Sequence, residues 1–473
     1  MQNDYAAIKE GFAVDYPMAQ PSSAKLVLFN EDLFERLELN WKEEEVLSYL
    51  SGTRSIEGIP ASALAYSGHQ FGHFNPTLGD GRAHYLGTIQ SNSPFDLQLK
   101  GSGATPFSRG GDGLCALGPA VREFVMSQAI QSLGVKTTEC LSVITTGNDV
   151  YRQGYVPGAV VCRVASSHIR VGSFQYLALQ QDKSGMERLL ELAIKRHYPQ
   201  IQSEGDDRVC DFLKHVCNNQ ISLIIDWLRV GFIHGVMNTD NCLVSGETID
   251  FGPCAMLEAF DFNAVFSSID KQGRYAFGQQ PNIAHWNCAR LAESLMLIMA
   301  CDEEQALEKL TGVLSDFSKS FNAAYHTMWA QKLGLPDWRD SDSDLLSELL
   351  VLMKNHQLDY TNTFAALTSL AINKEVLFTL PAELHEWVAK WQTRISVFDV
   401  AEVATLMSKA NPAIVPRNEL VEKVIEEFYE KGHSPLLEKW LPMLNNPYDY
   451  QEYDQVFTAR HSKPETYQTF CGT

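Results

Sequence analysis

What most restricts the fold of this chain is a change of hydrophobic pattern near residue 175. Before it, short runs rich in β-branched and aromatic residues alternate with glycine turns. His84–Gln90, Phe95–Lys100, Ser142–Thr146 and Gly158–Val164 read as strands. One stretch among them, about Pro119–Leu133, reads as a helix, with proline suited to its first turn and Gly134 to its end. Beyond residue 175, apolar residues recur at spacings of three and four. Met186–His197, Asp207–Val230, Ile283–Ala300, Glu303–Leu333, Asp344–Lys354 and Tyr360–Ile372 therefore read as helices. Between the second and third of these lies a β-like island, Cys242–Val244 and Thr248–Ile249, which is expected to form a hairpin. The pattern predicts an α+β chain. A β-rich part with one key helix (1–174) precedes a larger, mainly helical part (175–473).

At a net charge of −20 the chain should repel nucleic acid unless basic residues are concentrated locally, because nucleic-acid binders present a basic face. An anionic ligand must be held by a few placed cations. No stretch reaches the ~18 uninterrupted apolar residues of a membrane span. The N-terminus carries Asp4, Glu10 and Asp15 and lacks the pattern of a signal or transit peptide. A cytoplasmic protein, apart from membrane and nucleic acid, is expected. Ten cysteines form no CxxC pair, and most, such as Cys162 and Cys301, sit among apolar residues, so buried reduced thiols are expected. His69 and His73 have the i, i+4 spacing of a metal pair. Gly68 and Gly72 disfavour a helix there, and no third ligand is evident, so a metal is not favoured.

The segment His234–Gly252, HGVMNTDNCLVSGETIDFG, carries the most chemistry. Kinase-type transfer from ATP uses an Asn in a catalytic loop and the Asp of a DFG segment to hold magnesium. The kinase loop H-R-D-L-x-x-x-N sets His and Asn seven apart. His234 and Asn241 have that spacing, and Asp250-Phe251-Gly252 is a DFG. Amide and carboxylate oxygens suit magnesium bridging phosphates. Val236 stands where a kinase has its catalytic Asp and cannot take a proton. Asp240, the carboxylate of the loop, is the candidate general base or a further organiser of the metal. The bland alternative is a polar turn entering a hairpin.

The first part should supply a lysine for the phosphates. Lys100 ends an expected strand, and Glu123 on the following helix is its natural partner. Arg122 and Glu123 as solvated charges are the alternative. In Leu78-Gly79-Asp80-Gly81-Arg82 the glycines let backbone approach phosphates and Arg82 adds a planar cation, although the segment is neither GxGxxG nor Walker A. A second glycine-rich loop, Gly101–Gly113, contains Arg109 and Asp112. Arg163 follows an apolar strand and Arg170 lies just beyond. Such arginines need anionic partners, either a triphosphate or internal carboxylates. These residues give the outline of a protein kinase and magnesium-assisted transfer from ATP.

The same residues resemble the selenoprotein O (SelO/YdiU) family of protein adenylyltransferases over nearly the whole chain. The resemblance is carried by YSGHQFGHFNPTLGDGRAHYLG (66–87), LQLKGSGATPFSRGGDG (97–113), CRVASSHIRVGSF (162–174), HGVMNTDNCLVSGETIDFGP (234–253) and GRYAFGQQPNIAHWNCARLAESL (273–295). It implies a kinase-like, two-lobed fold, with an N-lobe over 1–174 and a C-lobe over 175–473. It implies ATP bound in a flipped orientation and AMP, not phosphate, transferred to Ser, Thr or Tyr hydroxyls of proteins, releasing pyrophosphate. Gly79, Gly81, Arg82, Lys100, Asp112, Gly113, Arg163, Arg170 and Asp250 would then contact the nucleotide. Glu123 would pair with Lys100, Asp240 would accept the proton, and Asn241 and Asp250 would hold magnesium, with manganese as the alternative ion.

Cys471 stands where eukaryotic relatives carry selenocysteine. It is a candidate redox group on a terminal tail or an idle thiol. Some bacterial relatives pair this cysteine with one beyond the DFG; here that stretch offers Cys254 directly after Pro253 and then serines, so no disulfide partner is assigned. Two other functions stay open. A conventional kinase-type phosphotransferase is disfavoured by Val236. A non-catalytic nucleotide-binding pseudokinase scaffold is disfavoured by the retained Lys100, Glu123, Asn241 and Asp250. On net charge alone, basic substrate segments are expected.

Overall fold

The structure, a computed structural model, describes residues 1–372, 379–451, 454–460 and 467–470, so Cys471 lies outside the described residues. The fold is mixed α/β, built on an antiparallel sheet. In chain order its strands and neighbouring hairpin are β1 (Ala13–Asp15), β2 (Lys25–Phe29), β3 (Ser62–Leu64), β4 (Gly68–Gln70), β5 (His73–Asn75), β6 (Ala83–Ile89), β7 (Phe95–Lys100), β8 (Cys115–Ala116), β9 (Glu139–Tyr151) and β10 (Tyr155–Ala165). The main sheet runs β1-β3-β6-β7-β10-β9-β2, with β8 beside β10; β4 and β5 pair separately. Helices α1 (Glu31–Arg36), α2 (Glu43–Leu50) and α3 (Leu117–Ser132) accompany the sheet.

Alternation along β7 sorts the two faces. Leu97 and Leu99 join Cys162 and Val164 of β10 and Leu33 and Leu50 of the first two helices in an apolar cluster. Asp96, Gln98 and Lys100 are buried on the other face. The antiparallel register pairs Val161 with Lys100 and Arg163 with Gln98, so Arg163 shares the polar face. Helix α3 lies against β9 and β10 and closes that face.

The helical part comprises α4 (Val171–Leu179), α5 (Lys183–His197), α6 (Gly205–Val230), α7 (Gln280–Leu295), α8 (Glu303–Leu333), α9 (Asp340–Asn355), α10 (Tyr360–Ala371), α11 (His385–Ile395), α12 (Val400–Ala410), α13 (Asn418–Lys431) and α14 (Pro435–Leu444). Between α6 and α7, two short strands, β11 (Phe232–Ile233) and β12 (Ala255–Met256), pair and pinch off the loop 234–254. Among the described residues no helix is long and apolar enough to cross a membrane.

Outside the island 242–249 the strands and helices expected from pattern occur, most with shifted ends. The stretch Ile283–Ala300 is broken: α7 stops at Leu295 and a 3-10 turn, Met296–Ile298, follows. The expected hairpin over Cys242–Ile249 does not form. Its two halves bond elsewhere: the Val244 amide donates to the Ile169 carbonyl (3.0 Å) and the Thr248 amide to the Lys136 carbonyl (2.9 Å). A short β-like run shows that backbone partners are wanted, not which ones.

One buried carboxylate ties the N-terminal segment, the sheet and α5 together. Asp96 accepts from Tyr5 Oη (2.5 Å), the His168 amide (3.0 Å), Thr88 Oγ1 (2.8 Å) and Arg196 Nη1 (2.7 Å). Burial pushes its pKa up, but the His168 bond and the Arg196 guanidinium outweigh that and hold it at about 2. The folded pKa lies below the ordinary carboxylate value. The stabilisation is therefore full above about pH 4 and is lost as pH falls toward 2, worth ~2 kcal/mol. Asp96→Asn is expected to lower the urea midpoint at pH 7 and to flatten the dependence of stability on pH between 4 and 2, measured by unfolding titrations.

Candidate functional site

A cavity of about 370 Å³ lies between the polar face of β7 and β10, the two glycine-rich segments and the loop 234–254. Gly79, Gly81, Arg82, Lys100, Asp112 and Gly113 line one side. Arg163, Arg170, Asp240, Asn241 and Asp250 line the rest. Glu123 sits behind Lys100. Every described residue singled out from sequence as a site residue is thus at this cavity or one contact from it. The close fit of the glycine-rich walls explains one glycine: a Cβ at Gly79, whose φ is +65°, would stand 2.2 Å from the Phe107 ring.

At the back of the cavity four charges alternate in sign, three of them buried and Asp250 partly exposed. Lys100 Nζ lies 2.6 Å from Glu123 Oε2 and 2.7 Å from Asp250 Oδ1. Arg163 Nη2 lies 2.6 Å from Glu123 Oε1 and 3.8 Å from Asp250 Oδ1, and its Nη1 donates to Gln98 Oε1 at 3.3 Å. Burial opposes the charges of Lys100, Glu123 and Asp250, yet the neighbours outweigh it. Lys100 and Arg163 hold Asp250 well below the carboxylate range, and Arg163 and Lys100 lower Glu123. In turn Asp250 and Glu123 raise Lys100. Asp250 takes a left-handed φ of +68°, which brings the DFG carboxylate to Lys100. Such a backbone costs on the order of 1–3 kcal/mol in a non-glycine residue, and it persists only where neighbours fix it.

The opposite wall is the loop 238–241, and the β4–β5 hairpin seals it. The His69 amide donates to Thr239 Oγ1 (2.7 Å) and the Phe71 amide to Asn238 Oδ1 (3.2 Å). Gln70 Nε2 donates to Asp240 Oδ2 (3.1 Å), while Asp240 Oδ1 is buried with no partner. A Cβ at Gly68 would reach 2.7 Å from that orphan oxygen, so the hairpin can sit this close only with glycine there. Burial raises the Asp240 pKa to about 6; Gln70 and Arg170 oppose the rise and Asp250 adds to it. Asn241 Nδ2 donates to the Val236 carbonyl (3.1 Å), which leaves its Oδ1 for a ligand. Asn241, Asp250 and Asp240 thus offer hard oxygens of the kind magnesium takes. Among the described residues no three His, Cys, Asp or Glu side chains gather as a complete metal cage.

His234 has a structural place. Its Nε2 meets the Ile249 carbonyl (2.7 Å), its Nδ1 accepts from the Val236 amide (3.3 Å), and its ring stacks on Trp227. That pattern requires a neutral imidazole protonated at Nε2, and burial lowers its pKa accordingly. The ring bolts the start of the loop to the residue before the DFG.

Arg170 lies 3.4 Å from Asp80 and 4.2 Å above the Tyr66 ring. Asp112 pairs with Arg152 (2.8 Å), which also lines the cavity. Sequence reasoning missed Arg152, Gln70 and Gln98. Arg152 lies in the turn joining β9 and β10, and only the full length of those strands carries it to the cavity. Cys254 is buried behind the DFG, where its thiol is pushed up to about 12 by burial. Nearby, the described tail residue Thr469 bonds the Pro253 carbonyl (2.6 Å) and pairs with Ser267. Of His69 and His73, one faces Gln175 Nε2 at 2.8 Å and the other lies exposed on β5.

Residues 1–445 match the family model for protein adenylyltransferase SelO. A protein nucleotidyltransferase YdiU of Pseudoalteromonas translucida is 51% identical over 471 residues, covering 99% of both chains. One from Teredinibacter turnerae is 46% identical over 487 residues and covers both chains fully. One from Brevibacillus brevis is 45% identical, covering 100% of this chain and 97% of its own.

The four-charge cluster is expected to stabilise the fold, most strongly through its buried member Glu123. Glu123→Ala leaves Lys100 and Arg163 buried with one carboxylate between them and should lower stability by ~3–5 kcal/mol, read from urea unfolding. Glu123→Gln keeps the bonds without the charge and should lose less.

Proposed function

The chain belongs to the SelO family of protein adenylyltransferases, and from that premise we propose that it transfers AMP from ATP to Ser, Thr or Tyr hydroxyls of other proteins, releasing pyrophosphate. The observation that carries this is a pair of carboxylates on one cavity whose environments push them apart. Asp250 is held ionised between two cations, and Asp240 is raised to about 6 with one oxygen unpartnered. Two such groups divide the labour of metal ligand and proton acceptor.

In this scheme Lys100, Arg163, Arg82 and Arg170 supply the positive potential that an acidic chain otherwise lacks, and the Gly79–Arg82 and Gly101–Gly113 segments give backbone access to the phosphates. Asp112 and Gly113 belong to the same nucleotide wall. Asn241 Oδ1 and the Asp250 carboxylate would hold magnesium, or manganese. The ion supplies neutralisation of charge on the phosphates. Asp240 takes the proton of the acceptor hydroxyl, whose oxygen then attacks the α-phosphorus. A base with a pKa near the working pH is both largely ionised and able to accept a proton. The sheet with α3, residues 1–174, acts as the nucleotide-holding lobe and residues 175–473 as the second lobe, in the manner of a protein kinase. The protein works in the cytoplasm and not on nucleic acid.

Transfer of the γ-phosphoryl group is the alternative. Against it, the position that bears the base in a kinase is here the buried, apolar Val236. ATP labelled at the α or at the γ phosphate separates the two: label from α on an acceptor protein supports AMP transfer, and label only from γ overturns it. Asp250→Ala should abolish metal-dependent labelling while the protein stays folded. Lys100→Ala should raise the KM for ATP. Asp240→Asn should cut kcat by at least ~100-fold. In the native enzyme the rate should rise with pH through about 6 as Asp240 loses its proton, and a flat profile between pH 5 and 7 would remove Asp240 as the base.

A further inference from the structure

Beside the hairpin that seals Asp240, and outside the cavity, lies a compact cationic and aromatic surface. Along β4, side chains alternate: Gln70 turns to Asp240 and His69 to the other face. There the His69 ring meets Trp286 of α7 edge-on at 5.2 Å and Phe74 of β5 at 4.9 Å. The guanidinium groups of Arg274 and Arg290 both lie over the Trp286 ring, at 4.8 and 4.9 Å. Phe74 is 42% exposed and Trp286 is half-buried, so the patch is open to a partner.

Its charges are not balanced. Among the described residues no carboxylate lies within salt-bridge distance of Arg274, whose neighbours are the rings of Trp286 and Tyr275. Its Nε is buried without a hydrogen-bond partner, and so is that of Arg290, which leaves the outer guanidinium nitrogens to meet a partner. The nearest acid in sequence, Asp270, is occupied by the backbone amides of Arg274 and Tyr275 at 2.9 and 2.8 Å. Arg290 pairs with Glu293 (2.6 Å), a solvent-facing i, i+3 contact of the kind that contributes little and yields readily to a better partner. The field of the two cations is felt by His69, whose pKa is lowered by burial and then by Arg290 and Arg274.

None of these side chains lines the cavity, so they do not serve the phosphates of a bound nucleotide. Yet they flank the loop of Asp240, through His69 and through Tyr275, whose hydroxyl donates to Asn238 Oδ1 at 2.6 Å. We propose that the Arg274–Trp286–Arg290 surface docks an acidic side chain, Asp or Glu, of the acceptor protein, a few residues from the hydroxyl presented to Asp240. Arg274 offers the carboxylate a planar two-bond contact, and Phe74 and Trp286 cover the apolar stem. This rests on Asp240 being the proton acceptor for a protein hydroxyl. It also reverses the expectation from net charge. At physiological salt, charges farther than about 8 Å are largely screened, so the −20 spread over the surface counts for less at this spot than two cations in contact.

The test uses the full chain and serine peptides that carry Glu, Gln or Lys at positions up to four residues on either side of the serine. Binding is read by fluorescence anisotropy, and AMP transfer by α-labelled ATP. Glu peptides should bind about tenfold tighter than their Gln counterparts, and Lys peptides more weakly than either. In Arg274→Gln the preference for Glu should vanish and the KM for Glu peptides should rise, with nucleotide binding retained as the check of folding. Arg274→Glu should shift the preference toward Lys peptides. Equal binding of Glu and Gln peptides by the native chain, or an undiminished Glu preference in Arg274→Gln, overturns the dock. Glu-selective binding without α-label transfer supports the dock and removes AMP transfer; α-label transfer without Glu selectivity does the reverse.

Discussion

The contact on which the cavity depends is the alternating cluster of Lys100, Glu123, Arg163 and Asp250. Each of the four comes from a different element, β7, α3, β10 and the DFG turn, so the cluster fixes how those elements meet. Taking four charges out of water is costly, and their attraction repays that only in good geometry. The geometry is set upstream of the charges. Period-two alternation puts Lys100 on the polar face, the β7–β10 register brings Arg163 beside it, and the helical part holds α3 from behind. Gly118 donates to Tyr429 Oη (2.9 Å), and Arg122 to Tyr467 Oη (3.2 Å) and to Glu422. The described tail therefore braces the same helix that presents Glu123.

Burial acts on both carboxylates of the cavity but with opposite outcomes. Around Asp250 two cations stand within 4 Å, and the acid stays ionised. Asp240 accepts a hydrogen bond from the neutral Gln70 amide and has no cation as near as Lys100 is to Asp250, so burial wins and the pKa climbs to about 6. The same desolvation that a salt bridge must overcome thus tunes the carboxyl proposed as proton acceptor. The partition is decided by which wall each residue sits on, not by residue type.

Much of this was legible in the sequence because it is local. The alternation FDLQLK announces both the strand and the lysine at its end; the His234–Asn241 spacing and the DFG announce a loop that meets it. Glu123 was found because it lies on the one helix among strands. What failed was non-local. The segment Cys242–Ile249 has the composition of a hairpin, yet its amides bond to Ile169 and Lys136, far away in sequence. Arg152 joins the cavity only because β9 and β10 are long enough to carry their turn to Asp112. Gln70 owes its role to a three-residue hairpin strand packed on a loop 170 positions later. Helices α1, α2 and α4 are too short to show a clear period.

The placement of the proposed base also sets the direction of approach. In a kinase the base stands four residues further from the metal-binding Asn, at the position here occupied by Val236. In this chain Asp240 and Asn241 are adjacent in one 3-10 turn, so their side chains diverge: one meets Gln70 of the hairpin, the other the Val236 carbonyl. The Asn241 amide and the Asp240 carboxylate therefore lie on different sides of the turn. The β4–β5 hairpin lies against Asp240, whose carboxylate Gln70 bonds, so a hydroxyl that reaches Asp240 would meet this hairpin. The hairpin is then more than a lid on a loop. Its inner residue, Gln70, tempers the base, and its outer residue, His69, stands among the cations that a passing segment of protein meets first.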